Sequence, residues 1–136
     1  MDWRQYGAVN PVKNQGACGS CWAFAAASSI ESAHWQTTKQ LVSLSEQQFV
    51  DCVPPYTGCF GGNPGAAMTY AMAHPEDSEN DYPYQAKKGS CAASSHQGVA
   101  KVTGVHPVVP LIGSQLKASI YKGPTAVSVD GASSVF

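Results

Sequence analysis

The chain is 136 residues long, the size of one ordinary domain or of a piece of a larger one. Hydrophobic residues make up 43% and charged residues only 12%, against roughly 25% charged in an average soluble domain. A net charge of -1 leaves no basic stripe to neutralise phosphates, which argues against nucleic acid as a partner. The uncharged stretch Ala17 to Ile30 is broken by Gly19 and several serines and cannot serve as a membrane span.

Met1 to Gly19 carries Gly7, Pro11 and Gly16 and reads as extended chain and turns, with no basic and apolar run of the signal-peptide kind. From Cys21 to about His34 an Ala-rich segment without Gly or Pro predicts a helix. Its first residues, Trp22 to Ala27, are apolar nearly all round, the pattern of a buried helix. Ser43 followed three residues later by Glu46 is a capping-box pattern, so Glu46 to Cys52 is expected as a short helix. Asn63 before Pro64 reads as an N-cap with Pro at the first helical position. That third helix should run to about His74 and stop before Pro75. Pro75 to Gly98 is polar and reads as a long loop tied down by Cys91. Val99 to Val109 looks like a strand bent at Gly104. Ser114 can cap a helix from Gln115 to Tyr121, closed by Gly123 and Pro124. The alternating Thr125 to Asp130 is a second strand candidate. Helices first and strands later give an α+β class, with residues 1–98 helical and 99–136 opening a β-rich unit. Trp3, Trp22 and Trp35 read as packing residues, and Glu46 and Asp51 as cap and helix-surface charges.

The five cysteines are Cys18, Cys21, Cys52, Cys59 and Cys91. An odd number in a Gly-rich, low-charge chain suggests two disulfides and one free thiol, and the count alone leaves fifteen arrangements open. Zinc is a competing use of clustered cysteines. No second CxxC and no closely spaced pair of histidines accompanies Cys18 and Cys21, so no metal or other cofactor is expected. A redox pair at Cys18 and Cys21 is another alternative, but it wants a preceding βαβ pattern that the Pro- and Gly-containing opening lacks.

Gln15-Gly16-Ala17-Cys18-Gly19-Ser20-Cys21-Trp22 carries the most chemistry. A cysteine in the first turn of a buried helix faces the positive end of the macrodipole and unpaired backbone N–H groups. Both favour thiolate over thiol and point to Cys21 as a nucleophile. Gly19 would keep the approach open, and Gly16 would let the chain turn so that the Gln15 amide points back toward the thiol. That amide and the Cys21 N–H together would form a pair of donors for a developing oxyanion.

Cys18-Gly19-Ser20-Cys21-Trp22 resembles the signature of the papain-like cysteine proteases, the papain and cathepsin L-like family. The resemblance extends along nearly the whole chain. Asp2-Trp3-Arg4 is similar to the mature N-terminus, consistent with the absence of an inhibitory prosegment, and Pro11 to Gly16 to the segment leading to the oxyanion glutamine. Leu44 to Gln47 with Val50-Asp51-Cys52 resembles the second helix. Cys59-Phe60-Gly61-Gly62 resembles the substrate-binding glycine loop, and Asp81-Tyr82-Pro83-Tyr84 the crossing between domains. The resemblance implies a helical left domain joined to a β-barrel-like right domain, and disulfides Cys18–Cys59 and Cys52–Cys91 with Cys21 free. It implies a cysteine endopeptidase working through an acyl-enzyme, with Cys21 as nucleophile and Gln15 in the oxyanion hole. Gly61 and Gly62 would pair with an extended peptide as an added strand, and Pro64 and Ser128 would line a substrate pocket. Phe60 stands where the family commonly has Asn, and Asn63 where it commonly has a larger apolar residue. Peptide or protein substrates, protein inhibitors and an oxidising compartment, lysosomal, vacuolar or secreted, are the corresponding partners and location.

A papain-like thiol needs an imidazole to take its proton and return it to the leaving amine. The family's His and Asn lie roughly 130–150 residues after the cysteine, so both are expected past Phe136. A second chain or a further C-terminal segment would then complete the site. None of the four histidines present reads as the base. His34 is at the far end of the long helix, His74 closes the third, His96 lies in a polar loop, and His106 precedes Pro107. Asp130 reads as a solvated strand-end charge. A non-catalytic structural or binding module with a protease-derived fold in a larger assembly is the alternative: Gln15 with Cys21 argues against it, the displaced base for it.

Overall fold

The computed structural model describes residues 1–55 and 58–130. Among these the helices are α1 (Cys21–Thr38), α2 (Glu46–Cys52), α3 (Pro64–Ala73) and α4 (Gly113–Lys122), with 3-10 turns at Trp3–Tyr6 and Ala93–Ser95. α1 buries Trp22, Ala23, Ala26, Ala27 and Ile30, the spacing of one helical face. Phe24 and Ala25 are only half-buried and Ser28 is exposed, so the helix is not enclosed on all sides as its opening residues suggest. Alanine favours the helix without needing burial, and α1 continues past His34 to Thr38. There Lys39, in the left-handed conformation at φ 60°, closes it with an N–H bond to the Trp35 carbonyl at 2.8 Å. The Lys39 ammonium lies 4.3 Å above the Trp35 ring.

α2 begins at Glu46, which puts Ser45 rather than Ser43 at the N-cap. Ser45 Oγ accepts from the Gln48 N–H at 3.0 Å. Glu46 completes no capping box: its carboxylate is buried and turned to Lys13 Nζ, 2.7 Å away. Asp51 accepts from the Tyr82 hydroxyl at 2.8 Å and the Gly89 N–H at 2.6 Å. Both acids therefore hold other segments of the chain, and neither is a solvated cap or surface charge. Asn63 caps α3 through bonds from the Gly65 and Ala66 N–H groups at 2.7 and 3.2 Å, with Pro64 at the first turn. Ala67 and Ala71 of α3 are fully buried in one cluster with Ala23, Ala26 and Ala27 of α1. Small side chains at that contact let the helices approach closely. Leu44, Phe49, Val50, Val53 and Ala100 complete the core.

The polar 75–98 segment is tied to α2 by two buried glutamines. Gln48 donates to the Pro75 carbonyl at 3.1 Å and accepts from the Asp77 N–H at 2.7 Å. Gln47 donates to the Lys87 carbonyl at 2.7 Å and accepts from the Gln85 N–H at 2.8 Å. Neither Val99 to Val109 nor Thr125 to Asp130 is a strand in the structure. Ala100 makes an isolated antiparallel bridge with Glu76, and no ladder follows. A strand exists only through repeated hydrogen bonds to a neighbour, and among the described residues neither segment has one. α4 starts at Gly113 with no side-chain cap, so Ser114 lies inside its first turn. Bonds from Trp3 Nε1 to the Ile120 carbonyl (2.8 Å) and from Gln36 Nε2 to the Lys122 carbonyl (2.7 Å) attach α4 to the rest of the molecule.

Candidate active site

Disulfides join Cys18 to Cys59 and Cys52 to Cys91, the two pairs implied by the resemblance, and Cys21 is free and exposed. Cys21 is the first residue of α1, with Ser20 as its N-cap. The first N–H groups of a helix have no acceptor within it, and that of Cys21 is one of them. The segment before it is held to the 58–62 loop at several points. Next to the Cys18–Cys59 bridge, the Gly19 N–H donates to the Cys59 carbonyl at 2.8 Å. A Cβ on Gly19 would stand 2.5 Å from that carbonyl oxygen. Glycine is needed there first for backbone contact with the loop, a reason distinct from keeping a path open to the thiol.

Gln15 Nε2 donates to the Cys18 carbonyl at 2.8 Å, which uses one of the two N–H donors of the amide. The Gln15 backbone carbonyl accepts from the Tyr84 hydroxyl at 2.8 Å. On the other side of Cys21, Trp22 Nε1 donates to the Gly58 carbonyl at 3.2 Å. A Cβ on Gly62 would fall 2.3 Å from the Trp22 indole, so no side chain fits between the loop and α1. Gly61 has nothing within 4 Å of its Cβ position, and Phe60 beside it is 92% exposed. Pro64 follows, half-buried, at the start of α3. Gln15, Gly19, Cys21, Gly61, Gly62 and Pro64 are thus linked around the N-terminus of α1. Ser128 is not drawn into this group: it lies exposed in irregular chain beyond α4 and, among the described residues, shares no hydrogen bond with it.

Two of the four histidines are engaged elsewhere. His74 caps α3 and stacks on Tyr70 at 4.2 Å, and His96 Nδ1 lies 3.0 Å from Asp77 Oδ2. His34 sits in the last turns of α1, and His106 is exposed. Among the described residues no group of three or more His, Cys, Asp or Glu is placed to hold a metal ion, and no helix is long and apolar enough to cross a membrane. The sequence reading assigned no role to Ser20 or Tyr84, whose hydroxyls meet at 2.6 Å. The Tyr82-Pro83-Tyr84 run was the available signal, but the hydroxyl of Tyr84 finds its partners Ser20 and Gln15 more than sixty residues away in the chain.

Residues 1–136 match the family described as papain family cysteine protease. Digestive cysteine proteinase 2 of Homarus americanus is 43% identical over 140 residues, covering 100% of this chain and 43% of that protein. Procathepsin L of Rattus norvegicus is 43% identical over 133 residues, covering 96% of this chain and 40% of the relative. The chain therefore spans about two-fifths of the length of these curated relatives. A cysteine protease of Carica candamarcensis, solved in complex with E-64, superposes with a TM-score of 0.86 at 40% identity, over 90% of this chain and 58% of that one. With the fold, the paired cysteines and the family match over residues 1–136 in agreement, the chain belongs to the papain family of cysteine proteases.

Proposed function

We propose that this chain carries the nucleophile half of a cysteine endopeptidase acting on peptides or proteins. The observation that carries the reading is the free, exposed Cys21 at the first position of α1, with Gln15 fixed beside the same turn by its bond to the Cys18 carbonyl. Cys21 Sγ attacks the scissile carbonyl carbon, and the oxygen that gains the negative charge is held by the Cys21 N–H and the Gln15 amide. The tetrahedral species expels the amine, which takes a proton from an imidazole, and leaves a thioester on Cys21. Water then hydrolyses the thioester to release the acid and restore the thiol. In this reading residues 1–98 form the helical domain and residues 99 onward open a β-rich one. The imidazole and its Asn partner come from a further C-terminal segment or a second chain, and the chain alone is inactive.

The open space around Gly61 supports pairing with an extended substrate, and Gly62 supports it by fixing the loop against Trp22. Pro64 and the uncharged Asn63 to Met68 wall favour an apolar side chain at the second position before the cut, because an unpaired buried charge there would be costly. Ser128 is proposed for the far side of that pocket on the family resemblance alone. Protein inhibitors that occlude the same edge are the corresponding partners. The disulfides suit an oxidising compartment, lysosomal, vacuolar or secreted. The test combines this chain with a papain-family C-terminal half and treats the mixture with a peptidyl fluoromethyl ketone. One adduct on Cys21, and a loss of about 10²–10³ in kcat for Gln15→Ala, is expected. Labelling at another residue, or an unchanged rate without the Gln15 amide, overturns the assignment.

A further inference from the structure

We propose that Tyr84 is a positioning residue of this site, its hydroxyl setting the Gln15 amide against the first turn of α1; the inference rests on the endopeptidase reading. The Tyr84 hydroxyl lies 2.8 Å from the Gln15 carbonyl oxygen and 2.6 Å from Ser20 Oγ. A carbonyl can only accept, so the single phenolic hydrogen goes to Gln15, and the Ser20 hydroxyl donates to Tyr84 at 2.6 Å in preference to the Cys18 carbonyl at 3.4 Å. One oxygen thus links the backbone of the residue carrying the oxyanion amide to the residue immediately before the nucleophile. Bonds chained in this direction polarise and strengthen one another.

Ser20 departs from the usual behaviour of its position. It is the N-cap of an 18-residue helix, yet its side chain makes no capping bond and is fully buried. Serine is favoured at that position for bonding the helix's own N–H groups. Here the hydroxyl is turned to Tyr84 instead, a local rule set aside at the nucleophile. Tyr84 is itself firmly placed: its ring meets Phe24 of α1 edge-on at 4.9 Å, and its N–H donates to Glu79 Oε1 at 2.9 Å. Gln15 lies in a segment without regular structure. Among the described residues its side-chain amide donates to the nearby Cys18 carbonyl alone, and the long-range bond to its backbone is the one from Tyr84. Oxyanion donors act only from the correct distance, and small displacements are expensive in rate.

Tyr84→Phe removes the hydroxyl and leaves the ring on Phe24. Tyr82→Phe is the control, because it removes a hydroxyl of the same loop that bonds Asp51 rather than Gln15. In the chain combined with a papain-family C-terminal half, Tyr84→Phe is expected to lower kcat by about tenfold to a hundredfold with KM within about twofold. Alkylation of Cys21 by iodoacetamide should be unaltered, since that reaction uses no oxyanion donor, and Tyr82→Phe should leave kcat unchanged. In the 136-residue chain by itself, the side-chain NH₂ resonances of Gln15, assigned with Gln15→Glu, should shift in Tyr84→Phe and not in Tyr82→Phe. Unchanged kcat or unchanged Gln15 resonances in Tyr84→Phe overturn the proposal, as does an equal loss in Tyr82→Phe. If the unmodified mixture shows no activity, the endopeptidase reading fails, and the Gln15 resonances alone decide the placement by Tyr84.

Discussion

Glu76 is fully buried, and among the described residues neither carboxylate oxygen has a hydrogen-bond partner. Burial, with the neighbouring Asp77 charge adding to it, pushes the carboxyl up to about 9. The folded chain therefore keeps a proton that the unfolded chain releases above about 4.5. Stability contributed this way is fully present below the unfolded value and is lost as pH rises toward the folded one. Glu46 behaves alike over a narrower window. Burial raises it to about 7 against the pull of Lys13, 2.7 Å away, with Glu79 adding to the rise. Urea unfolding at pH 5 and pH 8 should thus show the protein more stable at pH 5, with Glu76 and Glu46 contributing in the same direction. Glu76→Gln should flatten the profile and raise stability at pH 8; an unaltered slope would contradict this account of the residue. None of it was legible in the sequence, where Glu46 read as a cap and Glu76 as one polar residue of a loop, because burial of an acid is decided by the chain folded over it.

At the scale of elements, α1, α2 and α3 were readable because propensity, Pro64 and the Asn63 cap act within a few residues of one another. The cap of α2 shows the limit. Ser43 and Ser45 both fit a helix start, and the choice of Ser45 follows from its tertiary bond to the Tyr82 carbonyl at 2.6 Å as well as from Gln48. Ser45→Ala should destabilise the fold by about 1 kcal/mol or more and Ser43→Ala by much less, read as denaturation midpoints. Equal effects would remove the distinction. The segments read as strands failed for the opposite reason: valine alternation states a preference for a pleated surface, but only a neighbouring strand makes it one. Gln15, Cys21 and the glycine loop were legible because the family motifs lie in short runs. The Ser20–Tyr84–Gln15 chain was not, because it exists only after residues 15, 20 and 84 have been brought together.

Across the whole molecule, the two disulfides tie the loops to the helices: Cys18–Cys59 holds the glycine loop beside Cys21, and Cys52–Cys91 fastens the 75–91 segment to α2. Replacing Cys52 and Cys91 together by Ala should cost about 2–5 kcal/mol, measured by thermal unfolding. A change within experimental scatter would mean that the buried glutamines and Asp51 suffice to hold that loop. The proposed nucleophile Cys21 and the proposed oxyanion donor Gln15 are gathered at one end of α1, while His74 and His96 are engaged in other contacts and His106 is exposed. Peptide hydrolysis by the 136-residue chain, alone and with a papain-family C-terminal half, in the presence and absence of Cys21→Ala, tests this division most directly. The expected result is activity only in the mixture, abolished by Cys21→Ala; activity of the isolated chain that Cys21→Ala removes would place a base within these residues and contradict it.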